Sequence, residues 1–147
     1  MGERERLALF NMVVDSIPGA SVLDAFAGSG ALGIEALSRG ASSVVFIEKN
    51  AKACLVIRDN LRELGLEADV FQGDVVNFTT DIKFDLILAD PPYDKFDINE
   101  VKHLLQFLQI EGIFVLSHPG ETPDLPDLKL LKSRKYAGAT ISVYVKG

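Results

Sequence analysis

The chain has 147 residues, of which 48 % are hydrophobic, with a formal net charge of −6 and a single cysteine, Cys54. This length and composition predict one domain over residues 1–147, and they exclude an internal disulfide, a cysteine-cluster metal site and a strongly basic nucleic-acid binder. The longest apolar runs are too short to cross a bilayer and no leader pattern is present, so we expect a cytoplasmic protein without a membrane partner.

Charge is unevenly distributed along the chain. Residues 1–66 have a net charge of −1, residues 67–127 have 3 basic and 13 acidic side chains, and residues 128–147 have five basic side chains and no acid. This basic tail is able to face a polyanion, although charge alone favours a solvated strand face. Its basic residues are Lys129, Lys132, Arg134, Lys135 and Lys146.

The first 72 residues alternate between helical and strand patterns. Apolar residues at spacings of three and four predict helices, and short runs rich in β-branched residues predict strands. The predicted elements are a helix over residues 4–17, a strand over 21–26, a helix over 31–38, a strand over 43–48, a helix from the cap Asn50 to Gly65, and a strand over 68–72.

The second half continues this alternation and closes with a hairpin. It is predicted to contain a strand over 84–88, a helix from an Asp97–Glu100 capping box to Gly112, a strand over 113–117, a surface loop over 118–127, and paired strands over 129–135 and 140–146. The order predicts a doubly wound α/β fold with a mostly parallel seven-stranded sheet, a C-terminal antiparallel hairpin and a three-layer α/β/α arrangement.

A glycine-rich loop lies between the first predicted strand and the following helix. The run Gly28-Ser29-Gly30-Ala31-Leu32-Gly33 has the pattern G-x-G-x-x-G, and Glu48 follows Gly28 by 20 positions. That spacing is typical of a dinucleotide site, in which the acid binds ribose hydroxyls. Asp24 argues against this interpretation, because an acid just before the loop would repel a pyrophosphate and favour an ammonium group or a ribose.

Four acids lie at or near the carboxyl ends of four of the predicted strands. They are Asp24, Glu48, Asp74 and Asp90. Since the carboxyl ends of parallel strands share one edge of a sheet, we expect these acids to converge on one cavity. Each alone is equally well explained as a strand-end cap or a solvated turn, whereas all four together favour a cationic nucleoside without phosphates. S-adenosylmethionine has that chemistry.

The run Asp90-Pro91-Pro92-Tyr93 follows the buried strand over residues 84–88. Its two prolines fix φ and remove two backbone donors, so the turn offers carbonyl oxygens and a carboxylate but few N–H groups. Such a surface suits an amino group that is held by its hydrogens, with the tyrosine stacked on the attached ring. The alternative is a rigid strand-to-helix turn.

These motifs carry a family resemblance over nearly the whole chain. The glycine loop, the strand-end acids, Gly73-Asp74 and the Asp90–Tyr93 turn resemble the class I S-adenosylmethionine-dependent methyltransferases that modify exocyclic amines. The run from Ala27 to Ala41, with Leu9-Phe10-Asn11 and Tyr136-Ala137-Gly138, is more closely similar to the bacterial small-subunit ribosomal RNA guanine-N2 methyltransferases. The Asp-Pro-Pro-Tyr signature is shared with DNA adenine and cytosine N-methyltransferases.

The resemblance implies a Rossmann-like methyltransferase with S-adenosylmethionine as cofactor, S-adenosylhomocysteine as product and no metal ion. It implies that the substrate is ribosomal RNA, either free or presented in a small ribosomal subunit. We expect the protein to be a monomer. The residues that it places on the cofactor are Asp24, Phe26, Ala27, Gly28, Ser29, Gly30, Glu48, Lys49, Asp74, Val75 and Asp90.

The same resemblance assigns catalysis to Asp90, Pro91, Pro92 and Tyr93. We expect the Asp90 carboxylate and the Pro91 carbonyl to accept the two N–H bonds of guanine N2, which turns its lone pair toward the methyl. Tyr93 and Phe96 would form walls around the target base. The residues expected to contact the substrate are Arg4, Arg6, Tyr93, Lys95 and Phe96.

The chain departs from the family at its start. Those enzymes usually have a basic β-hairpin before the first helix, whereas this chain begins with Met1-Gly2-Glu3-Arg4, close to that helix. The departure predicts weaker RNA affinity: either the sequence is a shortened form of a longer protein, or the protein acts on a smaller or partner-presented substrate. A DNA or protein amine methyltransferase and a cofactor-binding subunit that needs a partner therefore remain as alternatives.

Overall fold

The computed structural model describes residues 1–147 and contains four α-helices, four short 3-10 helices and one seven-stranded sheet. The helices are α1 (Glu3–Met12), α2 (Ala31–Ser38), α3 (Ala51–Glu63) and α4 (Ile98–Leu104). The strands are β1 (Ser21–Asp24), β2 (Ser43–Glu48), β3 (Asp69–Gln72), β4 (Phe84–Ala89), β5 (Leu108–His118), β6 (Leu128–Tyr136) and β7 (Ala139–Lys146). None of the helices combines the length and the apolar character needed to cross a bilayer.

The strands lie in the order β3-β2-β1-β4-β5-β7-β6. The pairs among strands β1 to β5 are all parallel, and β7 runs antiparallel between β5 and β6. The strand order reverses between β1 and β4. From β1 the chain adds β2 and β3 on one side, and it then crosses back to add β4 and β5 on the other side of β1. Such a reversal opens a crevice at the carboxyl ends of the two strands, where ligands bind. The predicted fold class is confirmed.

Apolar side chains pack on both faces of the sheet, which gives three layers. Helices α1, α2 and α3 cover one face, where Phe10 is fully buried. Helix α4 and the loop after β5 cover the other face with Val101 and Leu125. The strands supply both cores by alternation, since Val22 packs in the first and Leu23 in the second.

Local capping signals position the helices that flank the crevice. Asn50 Oδ1 accepts a hydrogen bond from the N–H of Ala53 at 2.9 Å, and Gly65 beyond the other end of α3 has a φ of +67°. Both predicted ends of α3 are thereby confirmed. Asp97 caps α4 through the N–H of Asn99, but the Glu100 side chain does not complete the capping box and faces the crevice instead.

Two predicted helices are longer than those observed. Helix α1 gives way to a short 3-10 helix before residue 17. Helix α4 ends at Leu104, and its predicted second half forms a short 3-10 helix (Leu105–Phe107) and the start of β5 instead. The spacing of the apolar residues predicted that the helix would continue through Leu108, but Leu108 pairs with Phe84 in the sheet. Lys146 Nζ fixes this segment by donating to the carbonyl oxygens of Leu105 and Leu108, at 3.3 and 3.0 Å.

Candidate active site

A cavity of about 420 Å³ opens at the carboxyl edge of the sheet, between the ends of β1 and β4. Its volume lies in the usual range for small-molecule sites, about 300–1,000 Å³. The charged side chains of its wall are Arg6, Glu48, Lys49, Asp74, Asp90, Lys95 and Glu100. The expected convergence of strand-end acids is therefore present for three of the four, but cations stand among them and the rim is not purely acidic.

The glycine loop is fixed by its backbone conformation and by one carboxylate. Gly28 and Gly30 have φ values of +57° and +85°, in the left-handed region that favours glycine. Glu48 Oε1 accepts a hydrogen bond from the N–H of Gly28 at 2.8 Å, and its Oε2 accepts from the N–H of Asn50 at 2.8 Å. Glu48 therefore ties the loop to the start of α3.

Gly33 allows α2 to pack directly on β2. A methyl group at this position would lie 2.3 Å from Phe46 Cε1 and 2.9 Å from Val44 Cγ1, and both of those side chains are buried. The close approach also lets the N–H of Gly33 donate to Asp24 Oδ2 at 2.9 Å. The third glycine of the motif thus serves both helix packing and the placement of a backbone donor.

Asp24 lies beneath the loop and is only 1 % exposed. It is not part of the cavity wall, although we expected it to converge there with the other strand-end acids. Burial raises the pKa of Asp24 to about 7, against the effect of the Gly33 hydrogen bond, and the charges of Asp90 and Glu48 raise it further. The other oxygen, Oδ1, has no hydrogen-bond partner. An unpaired buried acceptor costs about 1–3 kcal/mol, so a donor or cation near Oδ1 would stabilise the ionised carboxylate.

The Asp90–Tyr93 turn places the Asp90 carboxylate in the cavity wall, and the Tyr93 hydroxyl lies beside that carboxylate. Asp90 is 19 % exposed, and burial raises its pKa, while the α-amino group of Met1, 3.6 Å from Oδ2, opposes that shift. The Tyr93 hydroxyl lies 3.5 Å from Asp90 Oδ1 and forms a short hydrogen bond with Ser117 Oγ. The tyrosine ring is therefore held at its hydroxyl end by groups on two different strand ends.

Most of the predicted site residues meet at this cavity. Those in its wall are Arg6, Phe26, Ala27, Gly28, Ser29, Glu48, Lys49, Asp74, Val75, Asp90, Pro92 and Lys95. Those outside the wall are Arg4, Asp24, Gly30, Pro91, Tyr93 and Phe96. Arg4 lies in a shallow depression along α1, because residues two apart lie on nearly opposite sides of a helix and Arg6 is the one that faces the cavity. Gly30 faces Ile57 of α3 instead of the cavity, since a Cβ on it would lie 3.1 Å from Ile57 Cγ1.

Sequence reasoning missed several residues of the site. The missed wall residues are Met1, Ala25, Ala31, Leu32, Ile47, Gly73 and Glu100. Burial raises the pKa of Glu100 and so does Asp97, whereas Lys49 lowers it. Ser117, which contacts the Tyr93 hydroxyl of the Asp90–Tyr93 turn, is 1 % exposed. A hydroxyl at the end of the otherwise apolar run of β5 was the signal that could have identified it.

The hydrogen-bonding groups of the loop fit a cationic nucleoside better than a dinucleotide. At a dinucleotide site the N–H groups of the glycine loop and of the first helical turn face a pyrophosphate. Here the N–H groups of Gly28 and Gly33 already donate to the carboxylates of Glu48 and Asp24. A phosphate would meet Glu48 in the wall, with the Asp24 carboxyl group beneath the loop, in place of these two donors, whereas an ammonium or a ribose would find an acceptor.

Comparison with known proteins gives consistent matches. Residues 1–145 match the family described as "Conserved hypothetical protein 95". The chain is 32 % identical over 158 residues to "Putative rRNA methyltransferase YlbH" of Bacillus subtilis, covering 98 % of this chain and 85 % of that protein. It is 32 % identical over 144 residues to ribosomal RNA small subunit methyltransferase D of Escherichia coli K12, covering 92 % and 73 %. A solved structure described as "Putative methyltransferase yhhF" of Escherichia coli superposes with a TM-score of 0.91 at 27 % identity, covering 98 % and 84 %.

Proposed function

The chain belongs to the family described as Conserved hypothetical protein 95, and from that membership we propose that it transfers a methyl group from S-adenosylmethionine to guanine N2 of small-subunit ribosomal RNA. The class of substrate is supported by the relatives of the chain, which are named as ribosomal RNA methyltransferases, one of them "putative". The choice of an exocyclic amine is supported by the Asp90–Tyr93 turn.

The observation that carries the proposal is the meeting of two chemically different surfaces at one cavity. One is a glycine loop in which the N–H groups of Gly28 and Gly33 are taken by Glu48 and Asp24, which disfavours phosphate. The other is a turn in which two prolines remove the backbone donors and Asp90 supplies an acceptor. A phosphate-free cofactor on one side and an amine on the other is the arrangement that N-methyl transfer requires.

The cavity wall offers acceptors for the polar parts of the cofactor. S-adenosylmethionine, when bound, supplies an electrophilic methyl on a cationic sulfonium. Glu48 and Asp74 both line the wall, and they would accept hydrogen bonds from the ribose hydroxyls and the adenine amine. Asp24 has an unpaired Oδ1 beneath the loop, and its ionised form gains from positive charge nearby.

Asp90 and the Pro91 carbonyl would hold the target amine. Two acceptors for the two N–H bonds leave the nitrogen lone pair free to point at the methyl, and the carboxylate stabilises the positive charge that develops on nitrogen. The raised pKa of Asp90 suits it to take up the proton that the methylated amine loses. Tyr93, fixed by its hydroxyl, would give the base a stacking surface.

Two measurements test the proposal. Isothermal titration calorimetry with S-adenosylmethionine and with NAD separates the two cofactors, and we expect binding of the first alone. Tritiated methyl transfer is then measured in parallel on unmethylated small-subunit ribosomal RNA, on small subunits and on DNA. We expect labelled RNA and unlabelled DNA. Binding of NAD alone, or transfer to DNA alone, would overturn the proposal.

A further inference from the structure

Strand β6 forms an open edge of the sheet and carries four exposed basic side chains. They are Lys129, Lys132, Arg134 and Lys135. None of them takes part in the three ion pairs of the protein, which involve other residues. The fifth basic residue of the tail, Lys146, differs from them because it donates to backbone carbonyl groups inside the fold. The four exposed cations are therefore free to bind a ligand.

A β-bulge places three of these cations on one face. Lys129 pairs with Val145, Lys132 with Val143 and Arg134 with Ile141, and cross-strand partners share a face of the sheet. In a regular strand, positions 129 and 132 would point to opposite faces, because side chains alternate. The register shifts between Leu130 and Lys132, which leaves Leu131 unpaired and aligns the two lysines. We call Lys129, Lys132 and Arg134 the basic row.

The basic row lies on the face that α1 covers. Ile141 and Val143, the partners of Arg134 and Lys132, pack in the same core as α1. Lys135 pairs with Thr140 and therefore lies on the other face. That other face is also where the acidic loop after β5 attaches, since Thr122 Oγ1 contacts Ser133 Oγ at 3.1 Å. The two faces of β6 thus differ in their charged surroundings.

The basic row leads toward the catalytic turn. Its partners on β7 are two residues apart, which spaces the cations by about 7 Å along the strand. Arg134 is the member of the basic row nearest the C-terminal end of β6. It pairs with Ile141, and Ile141 pairs with Ser117 of β5. Two strand spacings, about 10 Å, therefore separate Arg134 from the serine that holds the Tyr93 hydroxyl.

We propose that the basic row binds the phosphate backbone of the RNA substrate along the edge of β6, and so delivers the target base to the catalytic turn. This inference rests on the proposed function. Residues 1–127 carry 10 basic and 21 acidic side chains, so an RNA strand would be repelled by most of the surface and attracted along this line. Regularly spaced cations that track a polyanion bind mainly by release of its counterions.

Lys132 and Lys135 provide a matched pair of substitutions, because they lie on the same strand, are both exposed, and face opposite ways. Lys132→Gln should raise the KM for ribosomal RNA roughly threefold, and the double variant Lys132→Gln/Arg134→Gln roughly tenfold. The slope of log affinity against log salt should fall by about 0.7 for each cation removed. Lys135→Gln should change neither quantity, and kcat and S-adenosylmethionine affinity should be unchanged in all three variants.

The outcomes separate this inference from the proposed function. If the wild type methylates RNA but Lys132→Gln and Lys135→Gln behave alike, the basic row is not the RNA surface and the proposed function stands. If the Lys132→Gln defect appears on assembled subunits while binding to free ribosomal RNA is unchanged, the row contacts a protein and the inference fails. If the wild type binds S-adenosylmethionine but methylates no RNA, both fail.

Discussion

Asp24→Asn is expected to remove a pH-dependent loss of stability from this protein. In the folded chain burial raises the pKa of Asp24 from 3.8 to about 7, whereas in the unfolded chain the carboxyl has its ordinary pKa. Between these two values the folded chain holds a proton that the unfolded chain has released, so the free energy of unfolding falls as the pH rises. The loss is absent below about pH 4 and complete above about pH 7.

The size of the effect follows from the shift. Each pKa unit is worth about 1.4 kcal/mol, so the wild type should lose roughly 4 kcal/mol between pH 4 and pH 7, about 3 kcal/mol of it above pH 5. The asparagine keeps an oxygen for the N–H of Gly33 but places an amide donor where Oδ1 has no partner, at a cost of about 1–3 kcal/mol. That cost does not depend on pH. The quantity to measure is therefore the change with pH in the difference between the free energies of unfolding of the wild type and Asp24→Asn.

Urea unfolding of the wild type and Asp24→Asn at pH 5, 6, 7 and 8 measures that difference, with Asp81→Asn as an exposed control. The stability of Asp24→Asn relative to the wild type should rise by about 3 kcal/mol over this range, and that of Asp81→Asn should stay level. Parallel curves for the wild type and Asp24→Asn would show that the buried carboxyl ionises as it does in water, and would refute the reasoning.

Gly33→Ala should lower the free energy of unfolding by about 1–3 kcal/mol, because the added methyl meets the buried Phe46 ring at 2.3 Å. Urea midpoints equal to those of the wild type would mean that the ring moves aside without cost. Ser117→Ala and Tyr93→Phe should each lower kcat for methyl transfer by up to roughly tenfold while S-adenosylmethionine affinity is retained, because each removes the same hydroxyl contact. The double variant should be no slower than the slower single variant, and additive losses would show that the two hydroxyls act independently.

The fold could be predicted because its signals are local. Asn50 as a cap, Gly65 as a stop and the apolar runs of the strands each depend on neighbouring residues, and a parallel sheet with one reversal follows from their order. The glycine loop and the Asp90–Tyr93 turn were likewise found, since strand ends of one sheet meet at one edge.

The contents of the cavity could be predicted only in part, because burial and pairing depend on distant residues. Asp24 sits beneath the loop because α2 approaches β2 closely at Gly33, and an acid at a strand end does not reveal that depth. Ser117 meets Tyr93 across 24 positions of sequence, through the pairing of β4 with β5. The depth of Asp24 has no signature in the residues next to it, and the local sign of Ser117, a hydroxyl at the end of the apolar run of β5, does not reveal its partner.

The sequence also could not predict on which face of the sheet each basic side chain of β6 lies. Strict alternation would separate Lys129 from Lys132, and the unpaired Leu131 that joins them on one face arises from the register with β7. The predicted second half of α4 failed for a similar reason, since the pairing of Leu108 with Phe84 overrode its helical spacing.

The most direct test of N-methyl transfer at the Asp90–Tyr93 turn is the identity of the methylated nucleoside. Unmethylated small-subunit ribosomal RNA or small subunits are incubated with tritiated S-adenosylmethionine, the RNA is digested, and the labelled nucleoside is identified by chromatography. We predict label in N2-methylguanosine with the wild type, and a loss of at least roughly a hundredfold with Asp90→Asn while S-adenosylmethionine binding is retained. Label at a ring nitrogen or a ribose, or full activity of Asp90→Asn, would contradict the proposed mechanism.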